Sequence, residues 1–173
     1  NTFNRDLPAM KMALTFLLTT RGIPQIYYGT ELLMDGAEHK GHGDIRWDFP
    51  GGWKGDSTNA FLREGRSKDQ NEVFDHLKRL LRWRKSSNAI ARGSLRHFIP
   101  FNGVYVYFRM AGDETVMVVI NNTNDEKTID TGRFTEVTSG YNNALDIMTG
   151  QSFPLHGKLT SKGRTAMVFE LKK

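Results

Sequence analysis

The stretch that most limits how this chain can fold is Gly22-Ile23-Pro24-Gln25-Ile26-Tyr27-Tyr28-Gly29-Thr30-Glu31. Between its glycines lies a short apolar run rich in β-favouring side chains, the pattern of a strand buried on both faces in a parallel sheet. A helical pattern leads into it over residues 6 to about 21. Asp6 can cap that helix, and Pro8 sits in the first turn, where a missing N–H does no harm. Met10, Ala13, Leu14, Leu17 and Leu18 recur at helical spacing, and Gly22 and Pro24 end the helix. A polar segment, residues 35–66, rich in Gly and charge, leads out. Helix, buried strand, long loop is the order of an α/β barrel, in which chemistry gathers at the loop end of the strands. A loop of that length inside a compact domain is usually functional or mobile.

The texture then changes twice. Ser67-Lys68-Asp69-Gln70 has the form of a capping box, opening a second helix to about Lys85 with Val73, Phe74, Leu77, Leu80 and Leu81 on one stripe. Ser86-Ser87-Asn88 and Gly93 stop it. After Arg96 come short β-favouring runs at Val104–Arg109, Thr115–Ile120, Lys127–Ile129, Arg133–Val137, Ala144–Met148 and Thr165–Leu171. Turn signals such as Asn102-Gly103, Gly112-Asp113 and Ser139-Gly140 separate them, which indicates an antiparallel sandwich. The expected fold is therefore α+β: the last helix–strand–helix of a (β/α)8 barrel over residues 1–96, then an all-β sandwich over 97–173. The second unit can close its own core, whereas residues 6–31 expect neighbours on both sides.

Composition narrows the functions. The chain has no cysteine, so disulfide and thiol chemistry are excluded, and no apolar run approaches the ~20 residues of a membrane span. Its opening residues, Asn1-Thr2-Phe3-Asn4, show neither an initiator Met nor a signal-peptide pattern, which suits a piece of a longer protein. No compartment is assigned, and a soluble periplasmic or secreted setting fits. The net charge of +5 arises entirely in residues 1–97, with 16 Lys/Arg against 11 Asp/Glu. Much of the excess is Lys78, Arg79, Arg82, Arg84 and Lys85. A nucleic-acid binder would set such a run against phosphates, but no recognition motif accompanies it, and a solvated helix face is the plainer account.

Four segments carry a family resemblance. Residues 19–31 resemble the seventh helix and eighth strand of an α-amylase-type barrel, through G-x-P-x-x-Y-Y-G-x-E. Arg46-Trp47-Asp48-Phe49-Pro50-Gly51-Gly52-Trp53 resembles a loop of the neopullulanase and cyclomaltodextrinase branch. Gly65-Arg66, Gln70-Asn71-Glu72 and Leu80-Leu81-Arg82-Trp83-Arg84-Lys85 are similar to its eighth helix. Val104-Tyr105-Val106-Tyr107-Phe108-Arg109 and Asn121-Asn122 are similar to its C-terminal β domain. The resemblance, to glycoside hydrolase family 13, implies a parent protein that hydrolyses α-glucosidic bonds of cyclodextrins, pullulan or malto-oligosaccharides with retention. One carboxylate would attack the anomeric carbon and another would protonate the leaving oxygen. The Asn-His-Asp motif that carries the family's third carboxylate does not occur here. No catalytic residue is therefore assigned to this chain, which is expected to be inactive alone.

The resemblance also suggests which residues meet an α-glucan. Arg46 occupies the place of a loop arginine that bonds sugar hydroxyls in many such enzymes. Asp44 fits the companion carboxylate, though closer in sequence than usual. Trp53, like Trp47 and Phe49, offers an aromatic face for a glucose ring or a pin for the loop. Glu31, closing the strand motif, is either a polar contact of the sugar pocket or a hydrogen-bonded buried carboxylate. His39, His42, Glu38 and Asp44 could suggest a metal site, but spacing alone does not show that they converge. No cofactor is expected in this chain, and a parent's calcium is left open. Asp113-Glu114 and Asp125-Glu126 read as turn residues. Neither nucleic acid nor membrane is expected as a partner. The competing reading is a free-standing carbohydrate-binding sandwich without hydrolytic role, against which all three tryptophans precede residue 84.

Overall fold

Strands β2 (Val104–Ala111) and β3 (Glu114–Asn121) pair antiparallel from Ala111↔Glu114 to Val104↔Asn121. Gly112, at φ 56°, takes the left-handed position of their two-residue turn. Around them the computed structural model, which describes residues 5–173, builds a six-stranded antiparallel sheet in the order β1-β2-β3-β8-β5-β6. Its other strands are β1 (Ser94–His97), β5 (Asn143–Asp146), β6 (Ser152–Pro154) and β8 (Thr165–Lys172). Residues 1–4, at the head of the first expected unit, lie outside the described residues.

The sheet is buried on both faces, and alternation along each strand divides its side chains. Tyr107, Val116, Val118, Ile120 and Val168 point to one core with helices α1 (Leu7–Thr19), α2 (Lys68–Ser86) and α3 (Asn88–Arg92). Val104, Val106, Phe108, Met117, Val119, Phe169 and Leu171 point to the other. That second core is closed by a two-stranded sheet, β4 (Lys127–Asp130) with β7 (Lys158–Ser161), and by helix α4 (Thr135–Thr138). The β part is thus a sandwich of unequal sheets, with a helical layer on the outer face of the larger one.

Several expectations require correction. Residues 23–28 form no strand, and Ile23 is 99% exposed. A parallel strand is completed by its neighbours, and among the described residues none lies alongside. The barrel reading therefore remains an expectation, whereas the antiparallel sheet is plain. Arg133–Val137 is helical rather than extended. The Asp130 carboxylate accepts from Gly132 N at 2.9 Å and turns the chain, and the Thr138 hydroxyl donates to the Phe134 carbonyl at 3.0 Å. The apolar residues there fill the core, as Phe134 meets Phe98 and Phe108 edge-on. Helix α1 does not lack cover: Leu14 and Leu18 sit in the sheet's core, while Leu17 faces outward at 38% exposure.

Thr15 and Thr19 join α1's buried face because each hydroxyl has partners. Both donate back to the carbonyl one turn earlier, and Thr19 Oγ1 also meets the Tyr107 hydroxyl at 2.5 Å. Burial pushes the Tyr107 phenol above its ordinary range, so it stays neutral.

Arg109, on β2, locks helices to sheet. Only 2% exposed, it donates from Nη1 to the carbonyls of Thr19 and Thr20 at 3.1 and 2.7 Å, and from Nη2 to those of Ile90 and Gly93 at 2.9 and 3.0 Å. These are the last carbonyls of α1 and α3, which otherwise lack intrahelical partners and carry the negative end of the helix dipole. Arg84 donates to Leu18 O beside them. Glu114 does the converse for α3: Oε2 accepts from the N–H groups of Asn88 and Ala89 at 2.9 and 3.1 Å, and Ser87 bonds to Oε1. Glu114 is therefore a helix cap as well as a turn residue. The basic run on α2 is likewise only partly a solvated face, since Arg79 donates to Met148 O and Arg84 to α1.

Arg109→Met keeps an apolar stem but removes all four donated bonds. Unfolding in urea should show a loss of about 3–5 kcal/mol, because buried carbonyls are left unmatched. A loss below about 1 kcal/mol would mean that the carbonyls find other donors.

His76, on α2, meets Thr15 Oγ1 at 3.0 Å through Nε2. Since Thr15 already donates to Lys11 O, Nε2 must carry the proton. Burial first, then the nearby Lys11 ammonium, lower the His76 pKa from 6.5 to about 4, opposed by a hydrogen bond to the Lys11 backbone and then by the Glu72 charge. The unfolded chain binds this proton first, so stability is full above about pH 6.5 and declines as pH falls toward about 4. The decline attributable to this group should reach about 3 kcal/mol, and His76→Gln should remove it. Denaturation series at pH 7, 5.5 and 4 on both proteins measure the difference.

Candidate functional site

The segment after α1 has little regular structure, and its shape comes from turns and a few side-chain ties. Gly29, at φ 83°, precedes a 3-10 turn at Thr30–Leu32 whose Leu32 is fully buried. A second 3-10 turn spans Glu38–Lys40. Across the second turn Gly36 and Asp44 pinch together so closely that a Cβ on Gly36 would lie 1.8 Å from the Asp44 carbonyl oxygen. Only glycine fits there.

Asp44 is the strut of this pinch. Its Oδ2 accepts from Ala37 N at 2.6 Å, and its carbonyl accepts from the Trp47 indole N–H. The carboxylate is therefore engaged within the loop, not paired with Arg46. Arg46 sits one turn on, with its backbone N–H on Gly43 O at 3.2 Å. Its side chain is exposed and makes no hydrogen bond or ion pair with the described residues. No ion pair joins it to Asp44 or Asp48.

The next turn carries Trp53, 74% exposed, whose backbone N–H is held by the Asp56 carboxylate at 3.0 Å. Gly51, at φ 116°, lets the chain reverse against Asn59, and Ala60 N closes the reversal onto Pro50 O at 2.9 Å. The Phe49 ring lies 4.8 Å from that of Phe61, a contact between two arms of the same loop rather than with the body. Glu31 is half-buried in the first 3-10 turn, with no side-chain hydrogen bond among the described residues. The structure thus brings Asp44, Arg46 and Trp47 onto one turn, while no hydrogen bond or ion pair ties Glu31 or Trp53 to them.

Two residues that sequence reasoning used only as a strand signature belong beside this turn. Tyr27 and Tyr28 are half-exposed, with rings 4.6 Å apart, and the Tyr28 hydroxyl donates to Trp47 O at 3.0 Å. With Trp47, Thr30, Met34 and Ile45 they line a hollow of about 80 Å³. The sequence signal was two aromatics at the loop end of an apolar run, followed by a loop rich in further aromatics. Among the described residues no group of three or more His, Asp or Glu is placed to hold a metal ion, and His39 and His42 are exposed. Among them, too, no helix is long and apolar enough to cross a membrane.

The family described as the cyclo-malto-dextrinase C-terminal domain matches residues 95–170, from β1 into β8. A cyclomaltodextrin glucanotransferase of Bacillus licheniformis is 34% identical over 146 residues, 80% of this chain and 18% of that protein. A cyclomaltodextrinase of Geobacillus thermopakistaniensis is 30% identical over 123 residues, 69% of this chain and 18% of that protein. The chain therefore spans less than a fifth of the length of either relative. The structure of an α-amylase from Geobacillus thermoleovorans complexed with acarbose aligns with a TM-score of 0.70 and 23% identity, covering 98% of this chain and 34% of that one. At that identity the likeness is one of fold.

Asp44→Ala removes the strut without touching the exposed guanidinium. Losing the bond to Ala37 N should cost about 1 kcal/mol locally. Trypsin should then cut at Lys40 or Arg46 several-fold faster, with the global melting temperature unchanged. Unchanged cleavage would show that the Gly36 pinch alone holds the turn.

Proposed function

We propose that this chain, which belongs to the α-amylase superfamily, is part of a retaining hydrolase acting on α-1,4 glucosidic bonds of cyclodextrins, pullulan or malto-oligosaccharides. On this reading its loop of residues 35–53 meets the glucan. The covalent chemistry would fall to two carboxylates carried elsewhere in the protein, one attacking the anomeric carbon and one protonating the leaving oxygen. Neither Glu31 nor Asp44 is given that work, and the chain by itself is read as inactive. Its contribution is a surface: donors for hydroxyls, aromatic faces for sugar rings, and a sheet-and-helix body that carries the loop.

The observation that carries the reading is Arg46. Its guanidinium is exposed and has no protein hydrogen-bond or ion-pair partner among the described residues, on the same turn as the exposed Trp47 ring. A planar fork of donors matches paired sugar hydroxyls, and an indole face matches the C–H groups of a glucose ring. Trp53 is proposed as a second platform, Asp44 as the support of the Arg46 turn, and Glu31 as a polar contact at its edge. The relatives' names support an α-glucan as the substrate class.

In the full-length protein, Arg46→Ala should lower kcat/KM on malto-oligosaccharides roughly ten- to a hundred-fold. That is the weight of about 1.5–3 kcal/mol for hydrogen bonds from a charged donor. The melting temperature should stay put, since Arg46 makes no bond that the fold uses. Wild-type kinetics on every α-glucan tried would remove Arg46 from the substrate surface.

A further inference from the structure

We infer that Gln70 and Asn71, in the first turn of α2, are positioning residues that clamp both ends of the loop carrying Arg46 and so fix its guanidinium and the Trp47 ring for a glucan. This rests on the substrate reading above and adds a means of holding that surface in place. Gln70 works in two directions. Its Oε1 accepts from Ser67 N at 2.8 Å, completing the capping box, and its Nε2 donates to Leu32 O at 2.9 Å, 38 residues away at the loop's entrance. Asn71 holds the exit. Its Nδ2 donates to the carbonyls of Arg63 and Arg66 at 3.0 and 3.2 Å, and its Oδ1 accepts from Arg66 Nε at 2.9 Å.

Arg66 extends the hold. Its guanidinium reaches back to Ala60 O at 3.4 Å and lies 3.8 Å over the Phe74 ring. One helical turn thus grips both entrance and exit. Between them, the only side-chain hydrogen bond that ties residues 37–58 to the body among the described residues is the one from Tyr28. The turn that does the gripping is itself fixed, because α2 buries Val73, Leu77 and Leu80 in the core. Neither residue touches the Arg46 turn, so each acts on it only through the loop ends.

Gln70→Glu separates clamp from cap. A carboxylate still accepts from the Ser67 N–H and suits a helix N-terminus, but it has no N–H for the Leu32 carbonyl. In the full-length protein the melting temperature should hold or rise. Amide exchange in residues 33–47 should quicken roughly two- to ten-fold, the weight of one hydrogen bond. KM for maltotriose should rise by a similar factor with kcat unchanged, because the contact is made in ground and transition states alike. Asn71→Ala should do the same to residues 59–66. Unchanged loop exchange in Gln70→Glu overturns the clamp. Faster exchange with unchanged KM, where Arg46→Ala does raise KM, overturns its positioning role. If Arg46→Ala is also silent, the substrate reading itself fails.

Discussion

One buried guanidinium ties the C-terminal ends of two helices to the sheet they pack on. Arg109 faces no carboxylate, and its four donated bonds all go to carbonyls at the C-terminal ends of α1 and α3. Burying a charge is costly unless it is matched. Here the match is two helix dipoles and four acceptors that would otherwise lack partners. The arrangement also explains α3. Five residues are too few for a helix to persist in water, since nucleation costs more than one turn returns. The helix persists because Glu114 supplies its N-terminal acceptor and Arg109 its C-terminal donor, from neighbouring strands joined by a two-residue turn.

This division of labour gives the molecule a rigid end and a variable end. At the helix C-termini Arg109 engages four carbonyls and Arg84 a fifth. The irregular segment follows the C-terminus of α1 and ends at the N-terminus of α2, and its ties are mostly local. Precise placement of a binding group on such a segment requires that its ends be fixed by something rigid. The α2 N-terminus meets that need because its capping box and its buried stripe are both anchored in the body.

What was legible in the sequence was what local rules govern. Helix caps at Asp6 and Ser67, the stripe on α2, and β2, β3, β4 and β8 follow from side-chain chemistry within a few residues. The failures share another cause. The run Ile23–Tyr28 has a strand's composition, but a strand exists only beside another. The strand that is buried throughout, β3, is antiparallel, so burial on both faces did not imply a parallel sheet. Arg133–Val137 has β-favouring residues, yet Asp130 turns the chain and Phe134 is needed in the core. Strands β1, β6 and β7 are short, and α3 depends on partners some 20 residues away, so no window along the chain announces them. At the candidate site, Arg46 and Trp47 were singled out by resemblance, whereas the strut role of Asp44 depends on the Gly36 pinch.

The same segment occurs at 30–34% identity in proteins named for transfer and in one named as a dextrinase. In a retaining mechanism both outcomes pass through one covalent intermediate and differ only in whether water or a sugar hydroxyl resolves it. The shared core of sheet and helices therefore does not decide between them. Within this chain, the side chains free to differ between such proteins are the few in the loop that the fold leaves unpaired. Arg46 and Trp53 are of this kind: both are exposed, and neither side chain makes a hydrogen bond or ion pair among the described residues. Such positions can change without loss of stability, which makes them natural places for substrate preference to diverge on a constant scaffold.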